Sequence, residues 1–357
     1  MKEIYHITEN VSFKSGGIRT VLLALNQHLN ASNFNSKIIT NLKEDTDAFI
    51  AFNSKKPWSY TPEIKSYLNQ IIATNSIFHL HGVYTYKQYV GSKVASKNNI
   101  PYVISSHGML EPWILNKNHF KKKMYLQLIL NTILKKAAVL HAITPLEKEH
   151  LYGLTKHKNI VEIPNLIHFN TIPKHLSYDP KQDYFVFVGR IDSKKGIDLI
   201  IKAMSMLGKN NTTLKILGIE NEYSLYLKNL IRELHLESKI EFLGGIFDNA
   251  KFEIIANARA LIAPSFSEAI GMVNLEAAAC KTPVITTYQT GLHADFGKKG
   301  GQLIQPNVNE LKGAIENSLN WSTMERVDRG KTLCDFVSEN YSWEKKGNLW
   351  NDLYTSI

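Results

Sequence analysis

The sequence predicts an α/β protein made of two doubly wound, Rossmann-like domains, and three observations lead there. A chain of 357 residues is long for one hydrophobic core, so two domains are the default expectation. Short β-like runs alternate with helical patterns along the whole chain, the signature of βαβ units around parallel sheets. Between Pro164 and Asp183 this alternation stops, in a stretch with three prolines and little periodicity, which reads as a linker.

The first series of runs includes KEIYHIT, SKIIT, SIFHLHG, YVISSHG, AVLHAI and IVEIP, and the second YFVFVGR, LKILGI, IEFLGG, ARALIAP and PVITT. The predicted layout is therefore an N-terminal domain over 1–165, a linker over 166–182 and a C-terminal domain over 183–340. A ligand cleft is expected in the space the linker spans. Open α/β sheets bind ligands beyond the carboxyl ends of their strands, so motifs at strand-to-loop junctions carry the most weight.

Composition narrows the class. The longest apolar runs, such as AAVLHAI from Ala137, fall far short of the roughly 20 residues of a membrane span. Lys2 and Glu3 lead into a short strand rather than a long apolar segment, so no signal peptide is expected and the protein is placed in the cytoplasm. Cys280 and Cys334 are the only cysteines and belong to no Cys/His cluster, which argues against a disulfide framework or structural zinc. Residues 1–165 hold 20 Lys+Arg against 10 Asp+Glu, and residues 166–357 hold 22 against 22. The N-terminal half thus carries the whole net charge of +10, and it is the half expected to meet something anionic: nucleic acid, a membrane surface or a phosphorylated substrate.

The strand ends supply the chemistry. At the first junction Gly16 and Gly17 precede an amphipathic helix, where backbone amides can approach a phosphate. The pair matches neither G-x-G-x-x-G nor a P-loop, which counts against a dehydrogenase and an NTPase. Two His-Gly pairs follow, in HLHGVY (His79, His81, Gly82) and SSHGMLEPW (His107, Gly108). An imidazole there can donate to a sugar hydroxyl or position an acceptor, and His81, Tyr84 and Met109 are the acceptor-side candidates. No carboxylate accompanies these histidines at ligand spacing, and no Asp-x-Asp ends a strand to hold Mg²⁺, so no metal is expected. KNHFKKKMYLQLILNTILKK, from Lys117, has lysines at both ends of an apolar helix, a pattern that suits an anionic membrane surface or a core helix with solvated ends.

In the second half, FVGRIDSKKG ends a strand and brings Arg190 and Lys195 beside a helix start near Gly196. Arg can fork onto two phosphate oxygens while Lys acts as a point charge, which suits a pyrophosphate. SFSEAIGMVNLEAAACKTPVI then places Glu268 in a loop and Glu276 in the following helix. Eight helical steps span roughly 12 Å, too far for a tight acid/base pair but suited to an elongated ligand with hydroxyls at both ends. The amides of Ile270, Gly271, Met272 and Val273 lie between the two carboxylates as an anion site.

Taken together, these residues resemble the retaining glycosyltransferases of family 4, of the GT-B fold, in their bacterial surface-polysaccharide branch. The resemblance covers nearly the whole chain, most specifically in PSFSEAIGMVNLEAAACKTPVITT. It implies that Glu268 contacts donor-sugar hydroxyls and Glu276 the ribose, that Arg190 and Lys195 clamp the diphosphate, and that Gly16 and Gly17 form the glycine loop over the phosphates. It also makes His107 the active-site histidine, and YSWEKKGNLWNDLY, about 341–357, a closing helix that crosses back onto the first domain. Lys281 stands where the family usually has glycine.

The implied activity is metal-independent transfer of a sugar, with retention, from a UDP- or GDP-linked donor to a hydroxyl of a saccharide, with His107, Glu268, Arg190 and Lys195 as the catalytic set. The expected acceptor is a polyprenyl-diphosphate-linked saccharide at the inner face of the cytoplasmic membrane, in O-antigen, capsule or exopolysaccharide synthesis. Two other classes share some features. A nucleotide-sugar 2-epimerase has the same architecture; a basic nucleic-acid-binding protein explains the charge but leaves Glu268 and Glu276 without a role, so no nucleic acid is expected.

Overall fold

The computed structural model describes residues 1–9, 11, 17–41, 49–54, 56–111, 124–176, 178–179, 182–208 and 211–357. They divide into two units, Met1–Asn165 with Gly347–Ile357, and Leu166–Lys346. Residues 166–182, read as linker from the sequence, cluster with the second unit, and the return to the first begins at Gly347.

The first unit holds seven strands, β1 (Lys2–Ile7), β2 (Phe34–Thr40), β3 (Phe49–Ala51), β4 (Ser76–His81), β5 (Tyr102–Ser105), β6 (Val139–Ala142) and β7 (Ile160–Glu162). All pair in parallel, in the order β3-β2-β1-β4-β5-β6-β7. The order reverses between β1 and β4, and this switch point is where an open α/β sheet presents its ligand site. Ile4, Ile7, Phe78, Leu80, Val103 and Leu140 are buried in the sheet, as strands covered on both faces require. One face is unusually polar. His6 pairs with His79, His81 with Ser105, and Ser105 with His141, so the two-residue period lines these side chains up on the same side of four neighbouring strands. The last helix, Asn348–Thr355, covers that side with Trp350, Leu353 and Tyr354, all buried. Lys2 ties its end down by donating from Nζ to the carbonyls of Tyr354 at 2.8 Å and Thr355 at 3.0 Å.

The second unit repeats the plan with β8 (Tyr184–Val188), β9 (Thr213–Leu217), β10 (Ile240–Gly244), β11 (Ala260–Ala263), β12 (Val284–Thr287) and β13 (Gln302–Ile304). They run in parallel in the order β10-β9-β8-β11-β12-β13, reversing between β8 and β11. Phe185, Phe187, Leu214, Ile216 and Ile262 join Ile197, Ile200 and Ile201 of helix Ile197–Ser205 in one buried cluster. The helix can start there because Gly196 sits at φ 68, with Pro264 O only 2.4 Å from where a Cβ would stand. A side chain at Gly196 would push β8's loop away from β11's.

Of the lysine-rich helix that the sequence places from Lys117, residues 117–123 lie outside the described residues. The rest runs through a π-type turn at Leu126–Leu130 into helix Asn131–Lys136 and buries Leu130, Ile133 and Leu134, while Met124 and Leu128 stay exposed. No helix among the described residues is long and apolar enough to cross a membrane.

Candidate active site

In the second unit the predicted residues gather at the switch point. Arg190 follows β8 and is exposed, and Lys195 ends the turn Ser193–Lys195, which Asp192 caps by accepting from Lys194 N at 2.8 Å. Glu268, in the loop after β11, is ion-paired with Lys195 and accepts from Ser265 Oγ at 3.2 Å. Phe266 N donates to Lys194 O at 2.9 Å, fastening the two loops together through the backbone. Lys194, passed over in the sequence, belongs to the same cluster: burial lowers its pKa, Glu268 opposes that, and Lys195 and Arg190 lower it further. Three cations therefore gather around two carboxylates, Glu268 and Asp192, an arrangement whose excess positive charge suits a phosphate.

The helix that follows is Met272–Ala279, with Gly271 as an extended N-cap and no side-chain cap. Its opening amides, those of Gly271, Met272 and Val273, have no intrahelical acceptor. The Ile270 amide, expected to point at the same anion, donates instead to Thr290 O at 2.9 Å, because Ile270 is buried at φ 49 to turn the chain into the helix. A β-branched residue in the left-handed region costs about 1–3 kcal/mol, and here that strain sits between the two glutamates. Glu276 is on the second turn, paired with Lys251 at 3.0 Å. Lys251, another partner absent from the sequence reading, comes from helix Asp248–Asn257. The helix ends with Lys281 N on Ala278 O and Thr282 N on Ala277 O, both at 2.9 Å, around Lys281 at φ 57. That left-handed position explains why glycine is usual there.

In the first unit, Gly17 opens helix Gly17–Ala31 and is exposed, while Gly16 lies outside the described residues. His107 follows β5 at φ 50, directly before Gly108 at φ 72. The residue that holds this turn is Glu147, which the sequence reading missed. Its carboxylate, almost fully buried, accepts from Ser106 Oγ, from Gly108 N at 2.8 Å and from Ile143 N at 2.8 Å. The T-P-L-E run has the capping-box pattern, but only its first half forms, Thr144 Oγ1 accepting from Glu147 N at 3.0 Å; the carboxylate's service to the His107 turn is tertiary and leaves no local signal. Tyr84 donates to Met109 O at 3.2 Å, and both are half-buried beside the turn.

His81 does not present itself to an acceptor. It is buried, with Nε2 2.9 Å from His6 Nδ1 and Nδ1 2.9 Å from His107 Nε2, so it stands behind His107. His79 is likewise used up, by Tyr354 OH and Ser105 Oγ, each at 2.6 Å. His6, His79 and His81 bring ring nitrogens within 4.8 Å of one another, but the partners just named occupy both nitrogens of His79 and of His81, and the set is one of hydrogen bonds. Burial lowers the pKa of His6 to about 3, and burial with His141 nearby does the same for His107. Burial, then neighbouring histidines, holds His79 and His81 well below the usual imidazole range. The row is neutral.

Comparison with known proteins is consistent with this geometry. The uncharacterized glycosyltransferase MJ1178 of Methanocaldococcus jannaschii is 28% identical over 281 residues, 77% of this chain and 74% of that one. The O-antigen chain mannosyltransferase RfbU of Salmonella typhimurium is 23% identical over 60% of this chain and 63% of its own length. Among solved structures, Anabaena HepE in complex with UDP and glucose superposes with a TM-score of 0.81 at 16% identity, over 100% of both chains, a likeness of fold, GT-B. Residues 169–329 match the family described as glycosyl transferases group 1, so this chain carries a glycosyltransferase group 1 domain.

Proposed function

We propose that the chain is a retaining glycosyltransferase that moves a sugar from a UDP- or GDP-linked donor to a hydroxyl of a lipid-linked saccharide in bacterial surface-polysaccharide synthesis. The observation that carries this reading is the grouping, at one switch point, of Arg190, Lys194 and Lys195 with Glu268 and the uncapped helix start at Gly271. In it the cations and the amides of Gly271, Met272 and Val273 take the diphosphate, Glu268 the sugar hydroxyls and Glu276 the ribose. These fixed charges supply the leaving-group stabilisation that a divalent metal gives elsewhere, so the transfer needs none.

No side chain near Glu268 is placed as a nucleophile in this scheme. The leaving phosphate itself deprotonates the acceptor hydroxyl on the front face, with His107 as a hydrogen-bonding group near the sugar. The lipid-linked acceptor is supported by the excess of 20 Lys+Arg over 10 Asp+Glu in residues 1–165 and by the O-antigen role named for RfbU.

The test is product analysis of the full chain with each donor, with and without a saccharide acceptor. Transfer with the donor's anomeric configuration kept in the product is the expected result. An inverted product would remove the retaining mechanism, and turnover of the donor alone to an epimer would replace transfer with 2-epimerisation.

A further inference from the structure

The buried histidine row in the first unit has hydrogen-bond geometry tight enough to place its protons. It has two branches. In one, the carbonyl oxygen of Ile163 can only accept, so the hydrogen of that 2.8 Å bond is on His141 Nε2. His141 Nδ1 is then bare and accepts from the Ser105 hydroxyl at 2.7 Å. Ser105 Oγ in turn accepts from His79 Nε2–H, and His79 Nδ1 accepts from the Tyr354 hydroxyl. The ring nitrogens and both hydroxyl hydrogens of this branch are all engaged.

The other branch runs His6, His81, His107 and lacks such an anchor. Burial keeps the rings neutral, so each carries one hydrogen, and two arrangements fit the two 2.9 Å contacts. In the first, His6 Nδ1–H donates to His81 Nε2, His81 Nδ1–H donates to His107 Nε2, and His107 is left with an Nδ1–H. In the second, every donor is reversed: His107 keeps a bare Nδ1, and the spare hydrogen falls on His6 Nε2. That atom is buried and has no partner among the described residues. An enclosed N–H without an acceptor is rarer than an enclosed lone pair without a donor. The first arrangement therefore prevails.

We propose that His81 and His6 are positioning residues that fix His107 in its Nδ1–H tautomer, making it a hydrogen-bond donor to an oxygen of the bound sugar or acceptor and not the base that removes a proton. A proton accepted at His107 Nδ1 would have to pass through His81 to His6 Nε2, where nothing receives it. The branch is a lock and not a relay. The identity of the oxygen rests on the glycosyl-transfer reading; the tautomer does not.

The experiment is two-bond ¹H–¹⁵N correlation on the full chain labelled at histidine, with His107→Gln identifying the His107 signals. In the unsubstituted protein His6, His81 and His107 are expected to show protonated Nδ1 and bare Nε2, and His79 and His141 the reverse. In His81→Phe the His107 ring should revert to a mixture in which the Nε2–H form prevails, as in free imidazole side chains. A bare Nδ1 on His107 in the unsubstituted protein overturns the proposal, whether or not His81→Phe folds. So does a pure Nδ1–H His107 in folded His81→Phe. Because the spectrum reads the ring without substrate, a failure here leaves the transfer reading standing, and a chain that transfers no sugar leaves the tautomer assignment standing.

Discussion

Lys195 and Glu268 are separated by 73 residues in the sequence and joined by an ion pair at the end of the second sheet. The pair is half-buried, yet both side chains keep contact with water, which screens much of what such a pair contributes to stability, so its substitution separates function from folding. Lys195→Ala and Glu268→Gln should each lower turnover by at least about ten-fold, as loss of a preorganised charge does, with the melting curve little changed. Near-unaltered turnover in either purified variant would remove that residue from the site. Lys281 makes the opposite case. Its φ of 57 closes helix Met272–Ala279, and its contribution to neighbours is through the carbonyl that accepts from Arg326 Nη1 at 2.9 Å, which glycine keeps. Lys281→Gly should stabilise by roughly 0.5–1 kcal/mol, read as a higher denaturant midpoint; a lower midpoint would mean that the lysine side chain matters more than the backbone strain.

At the scale of elements, the first sheet and the turn after β5 hold five neutral histidines, His6, His79, His81 and His141 buried and His107 half-buried. In the unfolded chain each takes a proton as pH falls through about 6.5, whereas in the fold His6 and His107 resist protonation until about 3. The unfolded state then binds more protons, so stability is full above about 6.5 and is lost as pH falls below it. Denaturant midpoints measured from pH 8 to pH 4 should fall with that sign, and His6→Gln should flatten the slope; a flat profile in the parent would contradict the burial. Glu147→Ala would leave Ser106 Oγ, Gly108 N and Ile143 N without their acceptor, at about 1–3 kcal/mol for each donor that water cannot reach, and should destabilise the His107 turn first. Hydrogen exchange at Gly108 is the direct measure.

The same elements show what could be read in advance. Eleven strand cores were legible because β-branched and aromatic runs announce themselves; β3 and β13, three residues each, were missed, while β7, equally short, was legible because the run IVEIP carries its apolar pattern past the strand's end. Glu268 and Glu276 were legible as a local spacing. Lys251, which meets Glu276 from a neighbouring helix, was not, nor was His6, which looks like any strand residue until β1 and β4 lie side by side. Contacts made through the sheet and between helices leave no pattern along the chain, and this accounts for both misses.

For the molecule as a whole, charge is the most uneven property: residues 1–165 carry all of the net +10. If that excess meets a membrane surface, co-sedimentation of the full chain with vesicles should rise with anionic lipid content and fall as salt shortens the screening length. Binding indifferent to both would set the lipid-linked acceptor aside without touching the donor site. The central claim is that site, and the most direct test is calorimetric titration of the full chain with UDP and with GDP, each with and without EDTA, beside Lys195→Ala and Glu276→Gln. The account predicts that one nucleoside diphosphate binds, that EDTA changes nothing, and that both substitutions weaken binding by at least about ten-fold. Absence of binding by either nucleotide, binding lost in EDTA, or binding unmoved by both substitutions would contradict it.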